Sequence, residues 1–295
     1  MDDLLFKAPP ERMTKECERY YLASRQSALF LFNTLTFYKT LDGFLETIGA
    51  AGGLLRAFAA TNLDDPQSPE KEELRRKIAE ALEGVDKIEA RDDGQGFLKG
   101  FAQRKLFEDL PMLCEMLACR HVDNYLSYIS EILTLIYRDR PERLRSNEQV
   151  THEWVLKHNT MDELIAALVE KTVLNLSFNG MYDLWRDIKK KLNFNLFETE
   201  DEYKFATEIV EIRNLVVHNR GIVNRVFLSR SRNSKLELGH KIALGTGDLK
   251  NYSKVLSSSV YDIDLRVTQQ FGLAQPVLRN SLPGYQKNDV VQQPN

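Results

Sequence analysis

Apolar residues recur along most of this chain at helical spacing. From residue 12 to about residue 48 they return every three or four positions, which predicts one long helix or two abutting ones. Gly49 and Gly53, four apart just beyond, predict a break between two helices in preference to a close helix crossing. TNLDDPQSPE reads as a loop, with Ser68 as N-cap and Pro69 in the first helical position. Leu74, Ile78, Leu82, Val85 and Ile88 then form one apolar stripe on a helix whose other face alternates Glu with Arg and Lys, a water-facing pattern. After the break at ARDDGQG, LPMLCEMLACRHVDNYLSYISEILTLIYRD predicts a buried helix over about 109–138. RPERLRS ends it, because proline disfavours helix in the residue before it.

Two capping boxes follow, Thr160 with Glu163 ahead of LIAALVEK and Thr199 with Glu202 ahead of the next helix. A last helical pattern covers about 248–271, and residues 274–295 carry no sustained period and read as a flexible tail. Strand signals are confined to VNRVFL and KIALG. The expected fold is all-α, a bundle of long helices. It divides into an N-terminal helical region (1–94), a helical domain (95–273) and the tail (274–295).

Composition adjusts this picture at a few points. An apolar fraction of 43% over 295 residues suffices for a sizeable core, and the net charge of −3 excludes a polybasic wrapper of nucleic acid. Cys17, Cys114 and Cys119 contain no C-x-x-C pair, so they read as small buried apolar side chains in a reducing, cytoplasmic setting. MDDLLFKAPP has acids where a secretory signal has bases. The apolar stretch 28–60 is broken by Lys39, Asp42, Glu46 and Arg56, so no membrane span is expected. THEWVLKH, with His152, Trp154 and His158, lacks the H-E-x-x-H arrangement, and neither a phosphate-binding loop nor a G-x-S-x-G elbow occurs. No metal or cofactor is therefore expected. His121, beside Asp123, reads as a satisfied helix side chain.

The chemistry concentrates in EIRNLVVHNRGIVN. On a helix over 200–218, Phe205, Ile209, Ile212 and Val216 form one stripe that should face the core, and Thr207, Glu211, Asn214 and His218 lie nearly opposite. His218 is then on a solvent, cleft or partner face, within reach of Asn214 at i−4. Arg213 sits about 140° away by the 100° step. Asn219 or Gly221 can supply the left-handed C-cap. Between Arg213 and Lys241 stand seven Lys/Arg and one acid, Glu237, a local charge near +6. Phosphate is the natural partner of such a patch, with Asn219, Arg220, Arg225, Arg230, Arg232 and Lys235 as RNA contacts and His240 as a weaker candidate.

Arginine and histidine suit RNA cleavage that needs no metal. Histidine moves protons near neutral pH, and arginine's planar fork offsets charge on the phosphate. The ribose 2′-OH is the nucleophile, so DNA is spared. The reaction uses both an acid and a base, and one helix supplies one histidine. A two-fold homodimer would bring the second.

EIRNLVVHNRGIVN resembles the C-terminal motif of the HEPN superfamily, an Arg followed by a polar residue, then four to six residues and a His. The match includes Arg213, Asn214 and His218 and continues through Asn219-Arg-Gly-Ile-Val. HVDNYLSYISEILTLIYRDRPERL resembles the family's long central helix, and the likeness covers roughly 95–271. It implies an α-helical bundle that dimerises with its Arg/His motifs facing, as in metal-independent endoribonucleases of toxin–antitoxin, abortive-infection and antiviral systems. Arg213 and His218 would be catalytic, Asn214 would orient or contact RNA, and an antitoxin or other defence protein would be a partner. The alternative is a HEPN module that has lost cleavage and binds RNA or a protein.

Overall fold

The structure, a computed structural model, describes residues 7–62, 69–89, 101–145, 149–178, 180–231, 236–283 and 285. The fold is all-α. Helix α1 spans Lys15–Asn62, α2 Pro69–Glu89, α3 Phe101–Asp139, α4 His152–Leu156, α5 Met161–Phe178, α6 Met181–Leu192, α7 Glu200–Asn219, α8 Arg225–Arg230 and α9 Thr246–Phe271. Among the described residues the one sheet is an antiparallel pair, β1 (Arg12–Met13) with β2 (Val277–Leu278), in the register Arg12 to Leu278 and Met13 to Val277.

The chain forms two compact units, residues 29–113 and the remainder. It leaves the larger unit inside α1 and re-enters it inside α3. This differs from the expected boundary at 94/95, a point outside the described residues. The physical reason is burial: Met13, Cys17, Tyr20 and Tyr21 at the N-terminal end are core residues of the larger unit, so 1–94 is not one region.

The larger unit is built on α3 and α9. On α3, Tyr125, Ile129, Ile132 and Ile136 are fully buried at steps of three and four, with Tyr128 and Tyr137 buried beside them. On α9 the apolar stripe is Leu256, Val260, Ile263 and Val267, also fully buried. Each such side chain contributes about 1.5–3 kcal/mol relative to an exposed one. A second stripe of α9 is small and polar yet equally buried: Ser253, Ser257, Asp264 and Thr268.

That polar stripe receives the start of the chain. Lys7 N–H donates to Ser257 Oγ at 3.0 Å, and Tyr21 Oη donates to the Ser257 carbonyl at 3.1 Å. Asp264 accepts from Thr14 N–H at 3.2 Å, Thr14 Oγ1 at 2.6 Å and Tyr128 Oη at 3.3 Å. Thr14 Oγ1 in turn accepts from Cys17 N–H at 3.1 Å and so caps α1. Burial pushes the Asp264 carboxyl above its ordinary range, and the bonds from Thr14 and Tyr128 pull the other way.

Several expectations are revised. Helix α1 runs through Gly49 and Gly53 without a break, and a Cβ on Gly53 would meet nothing within 4 Å among the described residues. The cost, about 1 kcal/mol per interior glycine, is offset along a helix of 48 residues. Helix α3 starts at Phe101 and carries Pro111 within it, eight residues earlier than the pattern from Asp109 suggested. VNRVFL is not a strand: Asn224 Oδ1 accepts from Phe227 N–H at 2.8 Å and opens α8 instead. KIALG contributes one isolated bridge, Lys241 to Ile222. The tail is not free as far as residue 282. Val277 and Leu278 pair with β1, Arg279 N–H donates to the Glu11 carbonyl at 2.9 Å, and Leu282 is buried. The proposed Ser68 cap and the ARDDGQG break lie outside the described residues.

In the smaller unit Leu31, Leu45, Ile78 and Ala102 are buried, and Tyr38 Oη donates to Asp109 at 3.2 Å. The outward face of α2 carries ion pairs, Arg76 with Glu73 at 2.8 Å and with Glu80 at 2.9 Å, as its charge alternation predicted. Cys17 and Cys114 are buried and Cys119 half-buried, all as free thiols.

Asp264→Ala leaves three donors without their acceptor and should cost about 3 kcal/mol in urea unfolding; a loss near zero would mean that other groups seat the N-terminus. His121 is buried, and burial lowers its pKa from 6.5 to about 4. The folded state holds it neutral while the unfolded chain takes up a proton, so stability is complete above pH 6.5 and declines as pH falls toward 4. His121→Gln should flatten that part of the unfolding-midpoint profile, and parallel profiles would contradict the assignment.

Candidate functional site

Helix α7 begins with a complete capping box: Glu202 N–H donates to Thr199 Oγ1, and Glu202 carboxylate accepts from Thr199 N–H. Its first turn carries Glu200, Asp201 and Glu202, which suit the positive end of the helix dipole. Ahead of it, Arg266 of α9 donates to the carbonyls of Asn195 and Leu196, fixing where the helix starts.

The burial of α7 differs from the expected pair of faces. Ile209 and Ile212 are buried as predicted and Val216 is half-buried, but Phe205 is 53% exposed. Thr207 and Glu211, placed on the outward stripe, are 7% and 4% exposed. The helix is covered on two sides, by α9 and by α8 with α6, so a stripe that reads as outward faces a cleft.

That cleft is a groove of about 930 Å³ between α3, α6, α7 and α8. Arg213, Asn214 and His218 all line it, His218 exposed at its edge and the other two half-buried. Helix α3 contributes Asp123, Ser127, Ser130 and Glu131, and α8 contributes Phe227 and Arg230. A smaller adjoining pocket of about 260 Å³ is lined by Tyr182, Tyr203, Thr207, Glu211 and Arg230. Trp185 stacks behind Tyr203, ring centroids 5.0 Å apart.

The angular offset of Arg213 is resolved by a partner 90 residues away. Its Nε donates to Asp123 Oδ1 at 3.0 Å, its Nη2 lies 2.8 Å from the same oxygen, and its Nη1 donates to Asn214 Oδ1 at 3.2 Å. The long side chain thus lies toward α3, and these bonds use three of its five N–H groups. Asp123 was the unrecognised member of the site. Its signal in the sequence is the polar series Asp123, Ser127, Ser130, Glu131 on an otherwise apolar helix.

The helix ends in two left-handed residues, Arg220 (φ 55°) and Gly221 (φ 74°), where Asn219 or Gly221 was expected. Gly221 N–H donates to the Leu215 carbonyl at 3.0 Å, and a Cβ on Gly221 would lie 3.5 Å from the Ile242 carbonyl. The positive φ, more than that contact, strains any other residue at this position. Gly221, Val223, Gly239, His240 and Ile242 then exchange backbone hydrogen bonds, closing the basic loop onto itself.

The predicted RNA contacts scatter. Arg230 lines the groove, with Nη1 3.5 Å from the buried Glu211 carboxylate. Asn219 turns its side-chain amide onto the Ile222 carbonyl. Arg220, Arg225 and His240 are exposed and do not line the groove, and Arg232 and Lys235 lie outside the described residues. Within the groove the charge is mixed: Asp123, Glu131 and Glu211 share it with Arg213 and Arg230. Burial is the largest influence on Glu131 and raises its pKa, against the pull of Arg19.

His152 is exposed, and His158 packs edge-on against Trp154 at 4.9 Å. Among the described residues no group of three or more His, Cys, Asp or Glu is placed to hold a metal ion, and no helix is long and apolar enough to cross a membrane. No known protein family, curated protein or solved structure matches the chain.

The Arg213–Asp123 pair is half-exposed, so Asp123→Asn should change stability by less than about 1 kcal/mol. It also removes a negative charge beside the guanidinium, so affinity for a polyanion such as heparin should rise and its salt dependence steepen. Unchanged polyanion binding would take Arg213 off the anion-binding surface.

Proposed function

We propose that this protein is a HEPN-type, metal-independent endoribonuclease, acting as a toxin or antiviral effector and working as a homodimer. The observation that supports this reading is the convergence of Arg213, Asn214 and His218 on one open groove, although the 100° step separates Arg213 from His218 along the helix. In the proposed reaction the 2′-oxygen attacks phosphorus as a base removes its proton. The P–O5′ bond breaks, the 5′-oxygen takes a proton from an acid, and a 2′,3′-cyclic phosphate and a free 5′-OH remain. His218 is the proton carrier, Arg213 offsets charge on the phosphate, and Asn214 holds the guanidinium in place. The second histidine comes from the same position of a second chain.

A second reading has its own support. Arg213 is already bound to Asp123, and Glu211 and Glu131 share the groove, so the phosphate meets a site whose charges are largely balanced. That balance suits a module of the same fold that binds RNA or a protein partner without cutting.

One experiment separates the two. Wild-type and His218→Ala proteins are incubated with mixed RNA in EDTA and the products assayed for cyclic-phosphate ends. Cleavage by wild type should fall at least about a hundredfold in His218→Ala, the scale of a lost proton carrier, and comparably in Arg213→Ala. Activity that survives His218→Ala removes the histidine from the reaction. Salt-sensitive RNA binding with no product supports the second reading, and unfolding of Arg213→Ala makes that residue a structural ion-pair partner.

A further inference from the structure

Helix α1 carries a second pattern, in the smaller unit and unconnected with the groove. Phe30, Phe37 and Phe44 stand seven residues apart and are 55%, 62% and 61% exposed. Ala51 and Phe58 continue the same interval. With Phe30 as position a of a heptad, the d positions are Asn33, Thr40, Thr47 and Leu54, and the g positions from 36 onward are Thr36, Gly43, Ala50 and Ala57. All of these are exposed and none is charged. The four charges of residues 29–58 fall elsewhere: Lys39 and Glu46 at c, Asp42 and Arg56 at f.

The helix uses a different face inside its own unit. Leu31, Tyr38, Leu45 and Gly52 are at b, where Leu31 and Leu45 are buried and Tyr38 bonds Asp109. An ordinary solvent face is visible in the same unit on α2, laced with ion pairs. The a/d/g face of α1 has no such charge. Over about 29 residues, or about 43 Å at 1.5 Å per residue, it offers only aromatic, aliphatic, hydroxyl, amide and small side chains.

We propose that this face is a helix-pairing seam for a second copy of the chain. The seven-residue spacing of Phe30, Phe37 and Phe44 stays in line against a helix of the same spacing, which a second copy supplies. The seam is also self-complementary. Phe30, Phe37 and Phe44 project as knobs, and Thr36, Gly43 and Ala50 beside them leave room for the partner's rings. With no charge on the face, an acidic or basic segment gains nothing by docking there, whereas an identical uncharged face leaves no charge buried without a counter-ion. The area is adequate. Exposed Phe30, Phe37, Phe44 and Leu54 each hide about 100 Å² on pairing, so two copies remove about 800 Å² from these side chains, and the threonine, alanine and glycine surface between them brings the total to about 1,000 Å², the threshold of a specific interface.

The seam does not depend on the ribonuclease reading and is tested separately. The full chain and a Phe37→Glu/Phe44→Glu variant are compared by sedimentation velocity at about 50 µM, a concentration at which association through such an area is expected. The variant should lose one two-fold association step, with binding at least a hundredfold weaker and far-UV helicity unchanged, since both rings are exposed in the single chain. A second measurement reads the face directly. A thiol at Thr40→Cys (position d) should be alkylated more slowly at high than at low protein concentration, and one at Lys39→Cys (position c) should not. The proposal is overturned by a monomeric wild type, by association that survives the double substitution, or by alkylation of Thr40→Cys that ignores concentration. A monomer that co-sediments with phosphatidylcholine vesicles would also overturn it and assign the face to lipid.

Discussion

One buried carboxylate organises the larger unit. Asp264 lies on α9 among apolar neighbours and is fully removed from water, so its negative charge is tolerable only where donors surround it. Thr14 supplies two donors from the entry to α1, and Tyr128 supplies one from the middle of α3. Three segments distant in sequence must meet for the carboxylate to be satisfied, and alternative packings that separate them leave it bare. The small residues Ser253 and Ser257 along the same stripe make the approach close enough. The N-terminal strand, its pairing with Val277 and Leu278, and the burial of Leu282 all follow from that docking.

The same logic of pairing governs the groove on the other side of α3. Charge that looks concentrated along the chain is divided in space. Arg213 reaches Asp123 and Arg230 reaches Glu211, so these two groove-lining cations already have counter-charges. The groove is thereby preorganised, with the guanidinium held in a fixed orientation by Asp123 and Asn214. An anionic ligand that enters this groove competes with the Asp123 carboxylate for the arginine.

Helix α1 joins two different surfaces. Its first turns belong to the core around Asp264, and its later turns present an uncharged heptad face to solvent. A single-chain hydrophobic core does not require that second face. It sets α1 apart from α2, where exposure and charge go together as they ordinarily do.

Local physics was legible in the amino-acid order. Helical periodicity, the capping box of Thr199 and Glu202, Pro69 at the head of α2, the glycine at the end of α7 and the all-α class depend on interactions within a few residues, which the linear pattern records. The grouping of Arg213, Asn214 and His218 on one helix end was equally visible. Contacts across tens or hundreds of residues decided the rest. Asp123 as the partner of Arg213, the burial of Thr207 and Glu211 on a stripe that reads as outward, the docking of residues 7–14 on α9 and the order in residues 277–282 all depend on which faces meet. A helical wheel gives the direction of a side chain, but only packing determines whether that direction holds solvent, a neighbouring helix or a cleft.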